Sequence, residues 1–218
     1  MRLNLGTIQP PKNTAHVIAD ALRSAILQGR LTSGQSLKQD EIASEFKVSK
    51  IPVREALVQL QAEGLVSLIP SRGAIVSRLS YDDIAEIYTM RIALEPVALR
   101  HAIPQMTNID FLQMESILER IDHEEDLTKW AELNWEFHAA LYAPANMPRL
   151  IHVIRTLHHN VVRFLHHNHL DKDYLSQSQK QHSELLRLSR EKQVEQACEL
   201  LVYHLNDPLQ AFKETFEK

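Results

Sequence analysis

Cysteine is nearly absent from this chain: Cys198 stands alone among 218 residues. A single cysteine excludes an internal disulfide, so a reducing compartment, the cytoplasm, is expected. Glycine is scarce too, with 5 in the whole sequence, and neither a Gly-rich phosphate loop nor a nucleophile elbow can be found. No run nears the roughly 18 consecutive apolar residues of a membrane span, and the opening MRLNLGTIQPPK lacks the apolar centre of a signal peptide. No repeat and no low-complexity tract is present. What the chain does have is length for one or two domains, 44% hydrophobic residues and helical spacing through most of its course. Its net charge of −4 argues against a nucleic-acid partner until it is divided. Residues 1–77 hold 9 Lys and Arg against 6 Asp and Glu, whereas residues 78–218 hold 15 against 22. A small basic module joined to an acidic one can still bind DNA through its local field.

The basic part centres on VSKIPVREALVQLQAEGL, Val48 to Leu65. Val53, Ala56, Leu57 and Leu60 recur at helical spacing, Ser49 is placed to cap the helix, and Pro52 falls in its first turn. Lys50 and Arg54 then stand near the N-terminal end on the polar side, the end a recognition helix turns to bases and phosphates. Ile42, Ala43 and Phe46 form a short helix before it, closed by Lys47-Val48-Ser49, and two helices so joined make a helix-turn-helix. A helix from Asn13 or Thr14 to about residue 28 precedes them, and residues 1–12 read as a loose arm. Leu65–Ile69 and Ala74–Val76 flank Pro70-Ser71-Arg72-Gly73 as a hairpin. Residues 13–78 are therefore expected to form a winged helix-turn-helix. Arg72 at the wing tip is either a minor-groove contact or a solvated turn residue.

From residue 79 the pattern is helical to the end, with six segments at about 81–101, 108–123, 128–142, 147–168, 172–189 and 191–216. Asn108 and Asn146 are expected N-caps, and Pro96 is expected to kink or split the first segment. The fold class is mainly α: a winged helix-turn-helix followed by an antiparallel bundle over residues 79–218. Eleven of the 12 histidines lie after residue 100. His158, His159, His166, His167 and His169 read as a solvated, partly cationic face. Asn134 and His138 share a helix face one turn apart, and His182 and His204 fall on the last two helices. Spacing alone makes these scattered core or surface residues. Arg91 continues the stripe Ile84, Ile87, Tyr88, which turns its guanidinium inward, where it needs a partner. Glu95, one turn on, and a ligand carboxylate are both candidates.

VSKIPVREALVQLQAEGLV, with the wing ending SRGAIV, resembles the GntR family of bacterial transcription regulators, in the branch with an all-helical FCD effector domain. Six helices after the wing resemble the shorter, vanillate-regulator-like subtype. The resemblance implies a ligand-responsive DNA-binding regulator, most often a repressor, that binds a palindromic double-stranded operator as a homodimer. It places Ser49, Lys50, Pro52 and Arg54 on DNA-contacting positions and Arg72 on the wing-tip contact. Where the family usually has arginine, Lys50 lacks the two-pronged donor that matches guanine, so phosphate contact and base reading stand side by side. It also implies that Asn134, His138, His182 and His204 occupy the slots of a divalent metal site, for Zn²⁺, Ni²⁺ or Mn²⁺, and that Arg91 meets a small carboxylate effector. Asn134 stands in the usual Asp slot and brings a neutral amide oxygen. A metal held there has one anionic ligand fewer and draws an anionic effector more strongly; the other outcome is a metal-poor site whose histidines bind the ligand directly. A metal-dependent hydrolase is the alternative from another class, since three histidines with an open position also build hydrolytic zinc sites. No general base accompanies the three in the local sequence. A DNA binder indifferent to ligands is the third reading.

Overall fold

The computed structural model describes residues 14–70, 73–165 and 172–216. The N-terminal arm, the tip residue Arg72 and His166, His167 and His169 lie outside them. The chain divides into two compact units, one up to Arg78 and one from Leu79.

In the first unit, α1 (Thr14–Leu27), α2 (Gln39–Glu45) and α3 (Lys50–Ala62) pack around Ile18, Leu22, Ile26, Ile42, Val53, Leu57 and Leu60. The α2–α3 link is tight because Lys47 takes a left-handed conformation. Ser49 is the N-cap of α3, but its side chain makes no capping bond. At the other end Gly64, at positive φ, closes α3: its N–H donates to Gln61 and that of Leu65 to Leu60, the paired bonds of a Schellman turn. Arg23 of α1 grips Glu63 beside that turn with two bonds of 2.6 Å, which fixes α3 against α1.

The hairpin β2 (Val66–Ile69) and β3 (Gly73–Val76) forms as expected, in register Val66 to Val76. A third strand, β1 (Ser36–Leu37), pairs with the free edge of β3 and gives the order β1-β3-β2. Two residues carry too little alternation to be read in advance, so only a turn is legible there.

Among its described residues the second unit holds six α-helices: α4 (Tyr81–Ala102), α5 (Asn108–Asp122), α6 (Leu127–Tyr142), α7 (Pro148–Leu165), α8 (Lys172–Arg190) and α9 (Val194–Phe216). Two N-cap expectations are corrected, and of the kink or split expected at Pro96 the split does not occur: α4 runs unbroken through it. This helix is buried against α6, α7 and α9, and that packing offsets the cost of one missing N–H. Thr107, not Asn108, caps α5, because Asp110 three positions on completes a capping box with it at 2.7 Å. Asn146 is not an N-cap: it adopts a left-handed conformation that closes the turn Ala143–Ala145 as its C-cap, and α7 starts at Pro148. Among the described residues no helix is long and apolar enough to cross a membrane.

Candidate metal centre and recognition helix

Five helices, α4 and α6 to α9, bury polar side chains in the bundle, and three of them bring histidines together. Burial of Phe137 and Leu141 on α6 turns His138 inward with them; Leu185 does the same for His182 on α8, and Leu201 and Leu205 for His204 on α9. The three histidines converge, with one candidate ligand nitrogen from each lying within 4.8 Å of the others.

Their hydrogen bonds fix which nitrogen carries the proton. Gln179 donates its amide to the Leu118 carbonyl at 3.0 Å, so its oxygen is what meets His182 Nδ1 at 3.3 Å. Gln181 likewise donates to Asp207 at 2.6 Å and presents its oxygen to His204 Nδ1 at 2.6 Å. Tyr142 donates its hydroxyl proton to Glu95 Oε2 at 2.6 Å, and the Tyr142 oxygen is left to accept from His138 Nδ1 at 3.1 Å. An amide oxygen can only accept, and the Tyr142 proton is already committed. All three Nδ1 atoms are therefore donors and all three Nε2 atoms are bare lone pairs.

Those lone pairs crowd together. His138 Nε2 and His204 Nε2 are 3.2 Å apart, and His182 Nε2 is buried without a hydrogen-bond partner. Two bare lone pairs at that distance repel unless a cation sits between them. A proton is disfavoured there: burial drives all three imidazole pKa values down, to about 3 for His204. A metal ion suits the set better. Tetrahedral coordination with metal–nitrogen bonds of about 2.0 Å sets its ligand atoms about 3.3 Å apart, close to the 3.2 Å between His138 Nε2 and His204 Nε2. The Asn134 Oδ1 is buried and also unpartnered, as a fourth ligand atom would be.

Arg91 reaches the same interior and has a partner on its own helix: Nε donates to Glu95 Oε1 at 2.6 Å. Burial opposes its charge, and Glu95 beside it more than restores it. One wire of polar contacts thus runs Arg91–Glu95–Tyr142–His138–His204. Arg91, Asn134, His138, His158 and His204 line a cavity of about 20 Å³, room for one water. Trp130 also lines an open cleft of about 730 Å³ between α5, α6 and α8, as does Gln179.

His158 corrects an expectation. It is not part of a solvated face but only 3% exposed, its ring against Trp135. The amphipathic α7 puts it with Ile154, Leu157 and Val161 on the buried side, a periodicity visible in the sequence and masked by the run of histidines around it. Tyr142, Gln179 and Gln181 were not singled out in the sequence, whereas Glu95 was named there as a partner for Arg91 and is its partner here.

In the first unit Lys50, Ile51 and Arg54 lie exposed on one side of α3, Pro52 is half-buried, and Val53, Ala56, Leu57 and Leu60 fill the core. Lys50 Nζ meets Asp40 of α2 at 2.5 Å, a pair open to solvent on both sides. Arg54 makes no ion pair among the described residues. Ile51, 70% exposed, was passed over in the sequence because it breaks the apolar stripe.

A three-helix unit with a β-hairpin wing, joined to a helical bundle with an interior polar cavity, is the build of a winged helix-turn-helix regulator. The comparisons give the family. Residues 14–76 match the model of the bacterial regulatory proteins of the gntR family, and residues 86–207 match that of the FCD domain. The chain belongs to the gntR family and carries an FCD domain, a family of regulators rather than enzymes. It is 37% identical to a GntR family transcriptional regulator from Pseudomonas syringae pv. tomato, a crystal structure covering 98% of this chain and 90% of that one at a TM-score of 0.55. E. coli McbR/YncC shares the fold at a TM-score of 0.82 and 22% identity, over 93% and 98% of the two chains. An HTH-type transcriptional regulator of Mycobacterium tuberculosis, Rv0043c, is 31% identical over 66% of this chain; that match spans 59% of the relative's length.

Proposed function

We propose that the protein is an effector-responsive DNA-binding regulator whose helical unit holds a divalent metal and a small organic acid. The convergence of three bare Nε2 lone pairs, each enforced by a partner on Nδ1, carries this reading. His138, His182 and His204 would hold the metal, with the Asn134 amide oxygen as the fourth ligand atom. Bound there, the metal supplies a positive charge to which an acid's carboxylate binds. The residues lining the cavity add no net charge to oppose it: the imidazoles and the amide are neutral, and Arg91 is balanced by Glu95.

The cavity is too small for an acid in this arrangement, so acid binding requires it to expand. A ligand that needs the expanded state shifts the protein toward it by the difference in affinity between the two states. In the first unit Ser49, Lys50, Pro52 and Arg54 present the DNA-contacting end of α3, Arg72 belongs to the wing tip, and Ile51 offers an apolar contact to a thymine methyl. A homodimer would set two such helices about 34 Å apart on a palindrome. Exposed Met90 and Val97, two turns apart on α4, supply apolar surface for pairing. We take the protein as a repressor released by its acid.

Fluorescence anisotropy tests this directly. An operator selected from random duplexes by the zinc-loaded protein should bind tightly and be released by millimolar succinate. Release should fail for the His182→Ala variant, whose DNA-binding unit is untouched. Succinate acting equally on both proteins would refute the assignment of the effector to this cluster.

A further inference from the structure

Beside the three metal-facing nitrogens, the interior holds a second set of unsatisfied polar atoms. Both ring nitrogens of His158 are buried with no hydrogen-bond partner among the described residues. His158 is not one of the converging three. It lines the same cavity from α7, among Arg91, Asn134, His138 and His204, with Trp135 against its ring. A neutral imidazole has one N–H and one lone pair, and burying both unpaired is costly. Burial and the nearby Arg91 charge hold His158 in that neutral form. An apolar side chain would pack against Trp135 without this cost, so packing does not explain a histidine here.

We infer that His158 reads the effector: it hydrogen-bonds the end of the acid remote from the metal. The effector then carries a second polar group, a hydroxyl or a second carboxylate, besides the carboxylate at the metal. This rests on the proposed metal-and-acid reading of the cluster. Arg91 gives its Nε to Glu95, whereas both ring nitrogens of His158 are uncommitted, so His158 is the group whose hydrogen bonding the far end of the ligand completes. By choice of tautomer His158 serves a hydroxyl as acceptor or a carboxylate as donor. A hydrocarbon end would leave it unpaired, and sites built to hydrogen-bond a ligand group reject analogues that lack it.

Three four-carbon acids that differ only at the far end make the test: butyrate, 4-hydroxybutyrate and succinate. Each is titrated calorimetrically into the full-length, zinc-loaded protein, and zinc content is measured alongside. The wild type should bind 4-hydroxybutyrate or succinate at least about tenfold tighter than butyrate. His158→Leu should lose that margin while keeping its zinc and its butyrate affinity, and His158→Gln should restore part of it. Two results would overturn the inference: His158→Leu keeping the margin, or the wild type binding butyrate as well as the others. Should His158→Leu fail to fold, the wild-type comparison and His158→Gln still decide. Collapse of the underlying reading looks different, because the wild type then holds no zinc and binds none of the three acids, and the inference falls with it.

Discussion

Tyr142 sits where several residues' roles meet. Its hydroxyl is the acceptor that fixes the His138 tautomer and the donor that ties Glu95 in place. Replacing it with phenylalanine leaves the ring and removes both bonds. Loss of such an outer partner typically lowers metal affinity 10- to 100-fold, so Tyr142→Phe should weaken zinc binding by about that factor with its circular dichroism unchanged. A competition titration against a chelator checks it; unchanged affinity would mean that the tautomer is set by something else. The same buried imidazoles give a pH dependence. In the metal-free protein His138, His158, His182 and His204 have folded pKa values pushed below the ordinary range, chiefly by burial. The unfolded chain takes up protons as pH falls through about 6.5 while the folded chain refuses them. Stability is therefore full above that pH and lost below it, and the melting temperature of metal-free protein should be lower at pH 5.5 than at pH 7.5. At the DNA, Arg54→Ala should cost about 1–3 kcal/mol of operator affinity with no change in melting temperature, measured by anisotropy on the selected operator.

The helix-turn-helix elements were legible because each obeys a local rule. Val53, Leu57 and Leu60 mark the buried face of α3, and Gly64 marks its end through the left-handed turn it must make. Asn134 and His138 were legible as one face of α6 from their spacing of four. What could not be read was contact across elements. Gln181 is next to His182 in sequence yet serves His204 on α9, and Glu95 reaches Tyr142 from α4. Chain spacing says nothing of such pairs, because helix packing decides them. Strand β1 was hidden for the same reason: its two residues are defined by β3 rather than by their own pattern. Gly73 makes that dependence testable. It has a φ of 116°, and a Cβ there would lie 2.2 Å from the Leu37 carbonyl oxygen. Gly73→Ala should push β1 off β3 and destabilise the N-terminal unit by at least about 1–3 kcal/mol. A melting temperature equal to wild type would show that the wing accommodates the methyl.

On the scale of the whole molecule, two units with different chemistry have to act as one. The N-terminal unit offers an exposed basic helix end, and the helical unit offers a closed polar interior. In the proposed function, a ligand that opens the interior changes how the helix ends meet DNA. Linkage makes the effect reciprocal: if acid weakens DNA binding by some factor, DNA weakens acid binding by the same factor. All of this depends on a cation at the three histidines. The most direct measurement is metal content per chain, on untagged protein purified without added metal or chelator. The expected result is close to one equivalent of a divalent transition metal in the wild type and close to none in His182→Ala. Wild-type protein that holds no metal, and takes up none when zinc, nickel or manganese is titrated in, would contradict the proposed function at its base.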